Sequence, residues 1–163
     1  MNNLTWLKIL VMFVIVFALQ TTVVDWLRIF DVGPDLVVIF IVTVAIKCGP
    51  AVGCFWGFVA GFTQDVYAPV EWLGAHSIAM TMLGFFVGQL EERFLSLNMP
   101  AKVGVLGLGF FVCDVVYFVV TGLLRDVTMN LLLTKTLPEC LYTMLIGSIF
   151  FYLDLGKKKK KHV

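Results

Sequence analysis

The stretch PDLVVIFIVTVAIKCGPAVGCFWGFVAGFTQDV, Pro34 to Val66, decides the fold. It is apolar almost throughout, with Asp35 and Asp65 near its ends and Lys47 the only charge between them. A membrane-spanning helix needs about 20 apolar residues, within a usual range of about 17–25, so the stretch is too long for one span. Lys47-Cys48-Gly49-Pro50 divides it, because a residue before proline avoids the helical region and proline itself starts helices well. Two short helices are expected, 34–48 and 50–66. The first is only about 22 Å long at about 1.5 Å per residue, so it must thin the bilayer or sit behind its neighbours. A single long, tilted helix is the competing reading, and it would invert the topology of everything downstream.

Composition agrees with a chain built for lipid. Of its 163 residues 60% are hydrophobic and only 14% charged, and the mean hydropathy is +0.97. Soluble domains run about 45–50% apolar and about 25% charged, so too few charges exist to cover a water-facing surface. This excludes an ordinary cytosolic enzyme, a disordered regulator and a nucleic-acid-binding domain. Cys48, Cys54, Cys113 and Cys140 lie in apolar runs without a C-x-x-C pair, and His76 and His162 are far apart. The thiols read as small buried hydrophobes and no metal site is expected.

Four further spans complete a compact all-α bundle of six transmembrane helices: 7–24, 72–90, 101–124 and 137–155. The first reads as a retained helix, not a cleaved signal, since no A-x-A site follows Gln20-Thr21-Thr22. Basic residues in short loops set orientation. With both termini on one side, that side holds Lys8, Lys47, Arg93, Lys102 and Lys157 to Lys161, nine in all, against Arg28, Arg125 and Lys135 on the other. Both termini are therefore expected in the cytoplasm of a bacterial inner membrane, although without the lysine run the count falls to four against three. Asp25, Asp31, Asp65, Glu71 and Asp126 collect on the outer side. The loops leave no room for a soluble lobe.

The sharpest local pattern is the glycine ladder Gly49, Gly53, Gly57 and Gly61, repeated once by Gly84 and Gly88. Small residues at every fourth position let helices in lipid approach closely, either within the chain or against a partner. Asp65 at a membrane surface is ordinarily solvated; the other reading has it hydrogen-bond the start of the next helix near Gly74, Ala75 and His76. His76 reads as a packed interfacial residue or, less simply, a ligand. Asp114 lies near the bilayer centre, where an aspartate costs about 2.5–3.5 kcal/mol. Gly107, Phe111, Tyr117, Phe118 and Thr121 share its side of the helix by spacing. It reads either as a neutral, hydrogen-bonded structural residue or as a proton relay or ligand contact. A relay needs a second titratable group at that depth, and none is expected, since Glu139 falls near the outer end of the last span. Lys157, Lys158, Lys159, Lys160 and Lys161 form a tail that attracts anionic lipid. Signatures of hydrolases, metalloproteases, nucleotide-binding loops and intramembrane aspartyl chemistry are missing.

The run Pro34-Asp35-Leu36, the glycine ladder ending at Gln64-Asp65, and Leu73-Gly74-Ala75-His76 before a helix bearing Gly84 and Gly88 resemble the MreD family of rod shape-determining membrane proteins. The likeness covers residues 34–90. It implies a non-enzymatic, cofactor-free scaffold of the bacterial elongation machinery that binds MreC. Through MreC it connects MreB filaments to the RodA glycosyltransferase and its transpeptidase partner during lateral wall synthesis. Asp35 falls within the matched run, whereas Asp114 receives no role from it. The family is also similar in fold to the substrate-binding subunits of vitamin transporters, which supplies a rival: a solute-binding subunit with Asp114, Tyr117 and Thr121 as pocket lining. The scaffold reading expects small-residue stripes, short loops and no charged cavity. An intramembrane enzyme is the third and weakest reading.

Overall fold

The computed structural model describes residues 3–27, 33–94, 99–120 and 136–159. Arg28, Asp31, Thr121, Arg125, Asp126, Lys135, Lys160 and Lys161, which entered the orientation and site arguments, lie outside them. Six α-helices follow in order: α1 (Asn3–Leu27), α2 (Leu36–Cys48), α3 (Pro50–Asp65), α4 (Ala75–Phe94), α5 (Met99–Val120) and α6 (Leu137–Lys159). A single 3-10 turn, Val70–Trp72, precedes α4, and no strand occurs among the described residues.

Among the described residues the helices number six, as expected, and the differences lie at their ends. Residues 72–74 do not belong to α4: Leu73 is extended (φ −62°, ψ 125°) and Gly74 takes φ 98°, a value that favours glycine and stops the helix there. At its other end α6 continues past residue 155 into the lysine run. Lysine is a good helix former and a cation suits a helix C-terminus. Two helices, Leu4–Thr22 and Pro100–Val120, are long and apolar enough to cross a membrane by length and composition; Leu36–Cys48, Ala75–Leu90 and Leu137–Tyr152 are shorter apolar helices.

The break at residues 47–50 takes the two-helix form. Gly49 adopts φ 85°, its N–H donates to the Ala45 carbonyl at 2.9 Å, and Pro50 occupies the first turn of α3. The nearly all-apolar sequence of α2, polar only at Thr43 and at Lys47 in its last turn, explains its place: a helix hydrophobic on every side belongs in the interior. Val37 through Ile46 are all buried, and α2 touches each of the other five helices. It therefore sits behind its neighbours. Its one interior hydroxyl, Thr43, donates to the Ile39 carbonyl at 2.7 Å.

The tightest pair is α3 with α4, which run antiparallel. A Cβ on Gly53 would lie 2.6 Å from the Gly84 carbonyl oxygen and 2.7 Å from the Ala45 Cβ. One on Gly57 would meet the backbone of Met80, and one on Gly61 that of His76. From the other side, Gly84 faces the backbone of Gly53 and Gly88 that of Pro50. Each step of four residues along α3 thus meets a step of four back along α4. Gly49 lies in the turn and has nothing within 4 Å of where a Cβ would stand, so the stripe that packs has three glycines, not four. Aromatic rings hold α1 against α3: Phe13 lies 5.5 Å from Trp56, and Trp6 5.5 Å from Phe55, centroid to centroid.

Candidate functional site

Alternating helix directions carry polar residues that are distant in sequence to one end of the bundle. The N-termini of α2, α4 and α6 meet there, with the last turns of α3 and the C-terminal half of α5. A helix N-terminus leaves backbone N–H groups unsatisfied and carries partial positive charge. Each of these three helices has a carboxylate placed to answer it.

At α2 the carboxylate is Asp35, whose Oδ1 accepts from the N–H groups of Val37 at 2.8 Å and Val38 at 3.0 Å. Two other helices tie down the same turn. The Asp35 N–H donates to the Thr143 hydroxyl of α6 at 3.0 Å, and the Leu36 N–H donates to Gln20 Oε1 of α1 at 2.8 Å.

At α4 the carboxylate comes from the preceding helix. Asp65, the last residue of α3, is fully buried. Its Oδ1 accepts from the His76 N–H at 3.0 Å and lies 3.1 Å from His76 Nδ1. Its Oδ2 accepts from the Ser77 N–H at 2.9 Å and the Ser77 hydroxyl at 2.5 Å. The solvated position that a surface carboxylate ordinarily takes is thus not the one found. His76, partly exposed, is held by Asp65 and lies 4.4 Å from the Tyr117 ring of α5. At α6 the first turn contains Glu139.

Between these elements lies a cavity of about 360 Å³. Asp35, Gln64, His76, Asp114, Thr136 and Glu139 form its polar lining, and Phe110, Tyr117 and Phe118 its aromatic wall. Thr136 is buried and hydrogen-bonds the Asp114 carboxylate. The expectation of no charged cavity fails here. Asp35 lies within electrostatic reach of Asp114, and His76 and Glu139 share the cavity with both. The helix-face grouping around Asp114 also needs correction. Tyr117 and Phe118 join it in the cavity, but Phe111 is exposed and Gly107 faces Met144 of α6. Spacing along α5 reveals only that helix's own residues; Asp35, Gln64 and Glu139 come from three other helices. The signal for them was their shared position at helix ends that alternate in direction.

The remaining sequence-derived candidates fall elsewhere. Gly53, Gly57, Gly61, Gly84 and Gly88 form the α3–α4 contact, Gly49 forms the turn, and Lys157, Lys158 and Lys159 continue α6. Among the described residues no group of three or more His, Cys, Asp or Glu is arranged to hold a metal ion.

Comparison with known proteins adds the family. The family model described as rod shape-determining protein MreD matches residues 1–155. No curated protein and no solved structure matches the chain. The matched region extends well past the 34–90 stretch that carries the resemblance in sequence, and it takes in Asp114 and Glu139. With nearly its whole length covered, the chain belongs to the MreD family of rod shape-determining membrane proteins.

Proposed function

We propose that this protein is a non-catalytic scaffold of the bacterial elongation machinery. Its six helices lie in the inner membrane with both termini in the cytoplasm. It binds MreC and, through that contact, helps couple MreB filaments to RodA and its transpeptidase partner in lateral wall synthesis. The observation that carries this reading is the family match over residues 1–155. The exposed apolar residues Leu10, Val14, Leu141 and Leu145 suit helices covered by lipid or by another protein's helix. Since α4 already covers the glycine stripe of α3, the surface left for a partner is the outer sides of the helices and the polar end. Depleting the protein from a rod-shaped bacterium tests the reading. Cells should round up and lose lateral incorporation of labelled wall precursor; cells that stay rod-shaped with normal labelling would refute it.

The cavity favours a second reading, a solute-binding subunit akin to those of vitamin transporters, because a mixed polar and aromatic concavity is what small-molecule sites share. A thermal-shift screen with vitamins separates the two. Reproducible stabilisation by one compound supports the second reading, and none supports a scaffold without a ligand.

A further inference from the structure

We propose that the groove between α1 and α6 binds one anionic phospholipid of the cytoplasmic leaflet, with an acyl chain lying along α1 and the phosphate headgroup held at Lys8. This rests on the membrane placement proposed above and does not depend on the scaffold reading.

The groove follows from how the two terminal helices pack. Both α1 and α6 are in contact with α2, and scarcely with each other. The gap of about 470 Å³ left between them is walled by α1 on one side and by Phe150 of α6 on the other. Leu7, Val11, Ile15 and Leu19 recur every fourth residue along its edge and are all exposed. Met12 and Val16 form its floor, packed against the core. Lys8 is the one polar residue among the described lining.

Length and charge argue for a phospholipid. The groove runs from Lys8 to Leu19, about 17 Å at about 1.5 Å per residue, which is close to half of the roughly 30 Å hydrocarbon core. It is therefore one leaflet deep. Its charged end lies beside Trp6, a residue type enriched at headgroup level. A lysine there keeps its stem along apolar surface and its ammonium among the headgroups. Gln20, near the end of α1, and Thr143, near the start of α6, both meet the first turn of α2, so α1 begins and α6 ends at the opposite face of the bundle. The lysine run follows there, with Asp154 the one acid between Phe150 and that run. Basic groups at a cytoplasmic membrane face attract anionic headgroups.

Shape argues against another helix as the occupant. Helices in lipid pack closely where small residues line the contact, but this face of α1 offers Leu, Val, Met and Ile in place of Gly, Ala or Ser. A flexible acyl chain conforms to such a surface, whereas a rigid helix is kept at a distance by it.

Native mass spectrometry and thermal unfolding of the full-length protein in detergent test this, with phosphatidylglycerol and phosphatidylcholine of identical acyl chains as probes. The proposal predicts that one phosphatidylglycerol is retained in preference and raises the unfolding temperature. Lys8→Gln should lower its affinity about fivefold, the weight of one basic residue near an anionic headgroup. Ile15→Trp fills the groove and should abolish retention, whereas Val14→Trp, similarly exposed on α1 but outside the groove, should not. Equal retention of the two lipids, or equal effects of the two tryptophan variants, would overturn the proposal. So would loss of retention only when Lys157 to Lys161 are replaced with glutamine. A photoreactive diazirine side chain at residue 15, in native membranes, should cross-link to phospholipid. An adduct with a second copy of the chain or with another protein would put a helix in the groove and overturn the lipid assignment. None of these failures alters the membrane placement, which reporter accessibility reads separately.

Discussion

Gly57 of α3 packs directly against the backbone of Met80 of α4, leaving no room for even a methyl group between the two helices. This contact is the middle rung of an antiparallel interface in which backbone meets backbone at Gly53, Gly57 and Gly61. In lipid, where burial of apolar surface adds little between helices, close packing of this kind holds a helix pair together.

Gly57→Ala should therefore destabilise the fold by about 1–3 kcal/mol, the usual cost of forcing extra atoms into a packed interior. Gly104→Ala is the control, since nothing lies within 4 Å of where its Cβ would stand. That change should be neutral or slightly stabilising, alanine being the better helix former by about 1 kcal/mol in water. Unfolding of both variants in detergent, followed by circular dichroism, checks the contrast. Equal stability for the two would show that the stripe does not bear on packing.

Asp65 should be the most sensitive carboxylate outside the cavity. It receives two backbone N–H groups and the Ser77 hydroxyl in a buried position. Asp65→Ala leaves those donors unsatisfied, at about 1–3 kcal/mol for a buried group. A double-mutant cycle with Ser77→Ala should show clear non-additivity, because the two residues share one hydrogen bond. Additive losses would mean that the contact contributes nothing of its own.

The start of α2 is fixed by its own cap Asp35 and by two other helices, through Gln20 of α1 and Thr143 of α6. Replacing Asp35 with alanine should cost about 1 kcal/mol, as for other N-cap residues. Gln20→Leu should loosen the attachment of α1, and hydrogen exchange at the Leu36 amide should report it. Unchanged protection there would remove Gln20 from the account.

The lysine tail should set orientation. Replacing Lys157 to Lys161 with glutamine leaves four basic residues on the inner side against three on the outer, so a C-terminal reporter should become partly accessible from outside. The unaltered protein should keep that reporter wholly inside. A reporter held inside by the glutamine variant would shift the weight to Lys8, Lys47, Arg93 and Lys102.

Much of the architecture was legible in the sequence because each cue is local. Pro50 after Gly49 marks the break, an almost wholly apolar run marks the buried helix α2, and glycines four apart mark a close contact. The helix ends were less legible: residues 72–74 look apolar enough to join α4, and only the positive φ of Gly74 together with the distant Asp65 shows otherwise. Hardest to read was the cavity. Asp114 looked isolated because its neighbours lie on α2, α3, α4 and α6, and the spacing within one helix contains nothing about which helix ends meet. The same reason hid the role of Thr136, which no pattern in its own segment singles out.

The claim that matters most is that this protein acts by holding another protein in the membrane. Purified protein reconstituted in nanodiscs and titrated with purified full-length MreC addresses it directly. The account predicts saturable association with MreC. Absence of any association, in discs where the protein is shown to be folded, would contradict it.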